Sequence, residues 1–102
     1  LPFAAGRSPM IVALLSIEIY LPMSGSLKDK RMVLRRVKDR LKAFNVAVAE
    51  VAHQDLWQRA GLGVVTVAGS EDMAGETLSS ALKEIDRIEP GLVVQSQVEY
   101  LR

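Results

Sequence analysis

The chain has no cysteine, a single histidine and only five aromatic residues in 102. Without cysteine there is no disulfide, no thiolate zinc site and no cysteine nucleophile, a composition that fits a reducing cytoplasm. One histidine rules out a multi-histidine metal site within one chain. So few aromatics leave an aliphatic core. Charge of one sign is also missing: 13 basic residues face 12 acidic ones, a net charge of +1, so no global field argues for nucleic acid. The longest apolar stretch, MIVALLSIEIYLPM, is too short to span a bilayer and carries Glu18 inside it. No membrane role and no metal or other cofactor is expected.

What is present describes one domain. At 102 residues the chain is large enough for one core and too small for two. Residues 1–9, LPFAAGRSP, show no periodicity and no charged region ahead of an apolar run. They read as a disordered leader or expression scar rather than a signal peptide, leaving 10–102 as a single domain. Over 10–20, Ile11, Ala13, Leu15, Ile17 and Ile19 form one wholly apolar face. Val12, Leu14, Ser16, Glu18 and Tyr20 form a face that turns polar along its length, the pattern of a strand covered on one side.

Pro22 and Gly25 break that strand, and Ser26 with Asp29 has the spacing of a capping box. A helix is predicted over 27–44, with Leu27, Val33, Leu34, Val37, Leu41 and Phe44 on its buried arc. Strands are expected at 45–51 and 62–68. Ser70 caps a second helix, acidic in its first turn and stopped by Pro90 and Gly91. A last strand covers 92–100, and the four methionines are assigned to the core and termini. The order β-α-β-β-α-β, with right-handed crossovers, predicts an α+β, ferredoxin-like fold: a four-stranded antiparallel sheet with two helices on one face. That architecture alone names no activity.

SLKDKRMVLRRVKDRL at 26–41, NVAVAEV at 45–51 and HQDLWQRAGLGVVTV at 53–67 resemble the YlxP-like family of small bacterial proteins, a domain of unknown function. The resemblance runs from Met10 to Tyr100 and is most specific at SLKDKR and DLWQRA, with Asp29 standing where the family often has glutamate. It implies a ferredoxin-like fold and self-association, and offers no catalytic residue to carry over. Genes of the family often neighbour those for a translation initiation factor and ribosome-binding factor A, which implies work around the ribosome.

The least random feature is the first helix. Eight of the 13 basic residues lie between 28 and 42. Lys28, Arg31, Arg35, Lys38 and Lys42 follow a 3-4-3-4 spacing and share one face beside the apolar arc. Like charges so placed repel, and phosphates would use such a row because each one neutralised releases counterions. These five are the candidate nucleic-acid contacts, with ribosomal RNA or a ribosome-associated protein as partner. The competing reading is a solvated row, or one paired with the acidic second helix: Glu71, Asp72, Glu76, Glu84, Asp86 and Glu89.

The sheet face away from the helices offers a second candidate. Its third strand has no aromatic and its first only Tyr20, so bases are not expected to stack there on aromatic rings. Val12 and Leu14 leave aliphatic surface with no third layer, which points to a homo-oligomer, with Trp57 a further interface residue.

HQDLWQRAG, at 53–61, gathers groups that look catalytic. His53 with Asp55 could mimic an oriented base, yet the nucleophile would have to be Ser24, Ser26, Thr66 or Ser70, none in a recognisable motif. Glu18 and Glu50, placed at best on neighbouring strand positions, form no acid pair of fixed spacing. The favoured reading is a connection: Asp55 caps a turn, Leu56 and Trp57 pack over the sheet's end, and Arg59 pairs with an acid. No catalytic residue or small-molecule substrate is assigned, and the chain is read as a non-enzymatic binding module of the cytoplasm or, alternatively, a homo-oligomeric interaction module.

Overall fold

The computed structural model describes residues 10–101; the leader at 1–9 lies outside the described residues. Six elements follow in the expected order: β1 (Ile11–Tyr20), α1 (Leu27–Leu41), β2 (Ala47–Ala52), β3 (Arg59–Ala68), α2 (Glu71–Ile88) and β4 (Val93–Leu101). The sheet order is β2-β3-β1-β4 and every pairing is antiparallel, so the fold is ferredoxin-like.

Local chemistry sets the helix ends. The Ser26 hydroxyl accepts from the Asp29 amide at 3.0 Å, and the Asp29 carboxylate accepts from the Gly25 amide at 2.9 Å. Ser70 caps α2 in the same way, accepting from the Met73 amide at 3.1 Å. Helix α1 ends at Leu41, three residues earlier than its pattern predicts, because tight turns follow: Phe44 N–H donates to Leu41 and Val46 N–H to Phe44.

The core lies between the helices and one sheet face. Ala13, Leu15, Ile17 and Ile19 of β1 meet Leu62 and Val64 of β3 beneath Leu34, Val37, Ala74, Leu78 and Ile85. Burying each such aliphatic side chain contributes about 1.5–3 kcal/mol. The methionines are not in it. Met23, Met32 and Met73 are exposed, contrary to their assignment, since they sit in a turn or on an outward helix face, and Met10 is exposed at the start of the described residues.

The sequence also predicts β3 to start at Leu62. It starts at Arg59, so the last three residues of HQDLWQRAG belong to the strand and only 53–58 form the loop.

Candidate functional site

Lys30 is the unexpected centre of the molecule. It falls on the buried arc of α1, between Leu27 and Leu34, and is only 1% exposed. Its ammonium donates to the carbonyls of His53 (2.8 Å), Gln54 (3.2 Å) and Arg59 (3.2 Å). Those three acceptors use its three protons. The Glu50 carboxylate, 2.9 Å away and otherwise without a hydrogen bond among the described residues, is therefore held by charge. Sequence reasoning counted Lys30 with the basic run; its 3-4-3-4 spacing with Leu27, Leu34, Val37 and Leu41 was the signal of burial.

This clamp explains HQDLWQRAG. His53 has φ +61°, a conformation uncommon for a residue with a Cβ. Three contacts hold it there: Lys30 and the Leu56 amide on its carbonyl, and Glu18 on its ring. Gln58 adds ties to the Pro22 and Ser24 carbonyls. The turn is closed by the backbone rather than by Asp55, whose carboxylate caps nothing among the described residues. Nor do Leu56 and Trp57 pack over the sheet's end. They are 46% and 54% exposed and line a shallow hollow with Gln58 and Arg59, because the clamp fixes the loop through its backbone and leaves these side chains outside.

The imagined His53–Asp55 pairing is replaced by another. His53 Nε2 lies 2.8 Å from one Glu18 oxygen and Arg59 lies 3.3 Å from the other, on the sheet face away from the helices. Arg59 thus finds the acid predicted for it. Glu50 faces α1 and Glu18 faces away, with β3 between their strands, so the two are not neighbours. The four hydroxyls considered as nucleophiles all serve the backbone. Ser26 and Ser70 cap helices, Ser24 donates to the Ser26 carbonyl at 3.1 Å, and Thr66 donates to the Asn45 carbonyl at 2.6 Å.

The five cations of the α1 row are exposed. Lys42 pairs with Asp39 at 3.2 Å; Lys28, Arg31, Arg35 and Lys38 have no carboxylate partner among the described residues. The acidic helix does not neutralise the row. The interhelical ion pair found among the described residues is Arg40–Glu84 at 3.1 Å, and Arg40 points to α2 from the other flank. Arg40 and Arg87 hydrogen-bond the Glu84 carboxylate and hold its pKa below the ordinary 4.5, against a smaller opposing effect of burial. On its own flank the row overhangs the free edge of β2, where Lys38, Leu41 and Lys42 form a groove with Val46 and Val48.

Val12 and Leu14 lie half-buried on the open sheet face, opposite Val67 and Val65. Trp57 does not join them. It precedes the end where Tyr20 meets Arg59, eight residues along β1 from Val12, or roughly 26 Å of strand.

Architecture and surface together define a ferredoxin-like α+β domain whose polar groups mostly serve its own scaffold, with a cation row on one flank of which four members have no carboxylate partner among the described residues. The family described as "Protein of unknown function (DUF503)" matches residues 12–98, and the chain belongs to it. The Bacillus subtilis (strain 168) protein described as "Uncharacterized protein YlxP" is 41% identical over 64 residues, 62% of this chain and 70% of that one. Among solved structures, the de novo designed protein Foldit4 is similar with a TM-score of 0.57 and 13% identity, over 91% of this chain and 97% of that one. A C-terminal segment of the alpha subunit of aIF2 from Pyrococcus abyssi has a TM-score of 0.53 and 21% identity, over 92% of this chain and 51% of that one. Both likenesses concern the fold alone. A designed chain sharing it underlines how little the architecture says about function.

Proposed function

We propose that the chain is a non-enzymatic binding module that holds RNA along α1, with ribosomal RNA the source its family resemblance favours. One observation carries the reading: Lys28, Arg31, Arg35 and Lys38 stand exposed on one helix face with no carboxylate among the described residues to neutralise them. From Lys28 to Lys42 the row covers 14 residues of helical rise, about 21 Å. Four released counterions on a single strand correspond to a slope of log affinity against log salt of about −3.

Binding of labelled RNA to the whole chain across a salt series tests this. Charge reversal at Arg31, Arg35 and Lys38 is expected to flatten the slope and remove most of the affinity. Affinity that ignores salt, or survives the reversal, ends the reading.

A second reading rests on the aliphatic end of the open sheet, where exposed Val67 and Leu101 flank half-buried Val12. A second copy seated there makes the chain a homo-oligomeric interaction module. Light scattering of Leu14→Asp is then expected to show a smaller particle, and an unchanged oligomer on dilution counts against it.

A further inference from the structure

Side chains on the open sheet face fall into lines that cross the strands. Ala47, Val65 and Leu14 form an aliphatic line that ends in Glu99 on β4. The next line is Ala49, Gly63, Ser16 and Gln97, small until it reaches the edge. Beyond it stands Glu18. Between this line and Glu18 runs a shallow trough of about 270 Å³, with Ser16, Gly61 and Gln97 in its lining and Val51 and Ala52 on its β2 side.

Gly61 lines this trough, Gly63 stands just beyond it opposite Ser16, and the two differ in kind. At Gly61 a Cβ would stand 2.7 Å from the Cβ of Ala52, so the sheet itself demands glycine. At Gly63 a Cβ would make ordinary contacts, 3.6 Å from Val51 and 3.9 Å from Leu14, and the backbone is not in a positive-φ conformation. A glycine inside a central strand weakens it and leaves the peptide planes beside the trough without a side chain to cover them.

The polar lip says what could approach. His53 and Arg59 each engage one Glu18 oxygen, which fixes the carboxylate and leaves one acceptor site on each oxygen. Gln95 and Gln97, also lining the trough, can donate and accept. Opposite them the wall is aliphatic. The fitting ligand is flat, apolar on its faces, and carries two adjacent N–H donors along one edge.

We propose that the trough takes a single unstacked nucleobase, guanine, with its N1–H and N2–H donating to Glu18 and its face against the bare peptide planes of β3. Choosing a nucleobase over other planar heterocycles rests on the RNA reading; the trough does not. No aromatic stack is involved.

Free nucleosides test this without involving the α1 row, since they carry no phosphate. The whole chain is titrated with guanosine, adenosine and uridine and followed by amide NMR. Saturable shifts are expected at Gly61, Gly63, Ser16 and the Gln95 and Gln97 side-chain amides, with guanosine about tenfold tighter than the others, the size of one bidentate pair. Ser16→Leu, which fills the floor, and Glu18→Gln, which turns an acceptor into a donor, are each expected to abolish the shifts. Should Ser16→Leu not fold, Glu18→Gln alone decides. No saturable shift, equal response to all three nucleosides, or unchanged guanosine binding by folded Glu18→Gln overturns the proposal. Guanosine binding that persists in a variant with the row reversed supports it even if RNA binding by α1 fails.

Discussion

Replacing Lys30 by methionine keeps an unbranched, apolar stem as far as Cε and removes the ammonium beyond it. The structure fixes what is lost: three carbonyl contacts between 2.8 and 3.2 Å, and the one countercharge of the inward-facing Glu50. Removing one member of a buried ion pair leaves the other uncompensated and costs about 3–5 kcal/mol. For a domain of this size, with a total stability of about 5–15 kcal/mol, that is a fifth or more of the whole. At about 4–8 °C per kcal/mol, the melting temperature is expected to fall by at least about 12 °C. Glu50→Leu is expected to be milder, about 1–3 kcal/mol, because Lys30 keeps its three carbonyls. The double variant Lys30→Met/Glu50→Leu should be more stable than Lys30→Met alone. Urea unfolding followed by far-ultraviolet circular dichroism measures all three. A Lys30→Met variant within about 1 kcal/mol of the parent, or singles that merely add in the double variant, would refute the clamp.

Glu84 supplies a pH test. Its folded pKa is depressed below 4.5 by hydrogen bonds from Arg40 and then Arg87, so its contribution is complete above 4.5 and is lost as pH falls through the folded value. An NMR titration of Glu84 should show Arg40→Ala moving that carboxyl up toward 4.5. Gly61→Ala is expected to destabilise by about 1–3 kcal/mol through the clash with Ala52, while Gly63→Ala stays within about 1 kcal/mol of the parent; parallel thermal melts separate them. Ser70→Ala removes the α2 cap and should cost about 1 kcal/mol in the same assay.

The architecture was legible because periodicity and capping are local. Ser26, Asp29 and Ser70 announce their helices within four residues, and the alternation of Ile11 to Ile19 marks a strand covered on one side. The contacts of HQDLWQRAG were not legible, because its partners lie elsewhere in the chain. His53 meets Glu18 across 35 positions, and its carbonyl meets Lys30 across 23. Lys30 was misread for a chemical reason: a lysine on an apolar arc looks like noise until carbonyls from another element converge on it. The trough was hidden for the opposite reason. Ser16, Gly61, Glu18, Gln95 and Gln97 come together only when strand register is known, and small residues draw no notice in a linear reading.

The overhang of Lys38 and Lys42 above β2 also bears on how this chain lives at high concentration. Ala47–Ala52 ends the sheet of the described residues with small, mostly uncharged side chains and a backbone ladder that no other described strand meets, the kind of border along which identical molecules zip together. Two copies approaching there would bring four ammonium groups face to face, so the lysines act as a fence. Any agent that masks them, whether a bound polyanion or acetylation, lowers the fence as well as occupying the helix, and fibrous or laddered assembly of the masked chain is the behaviour to look for.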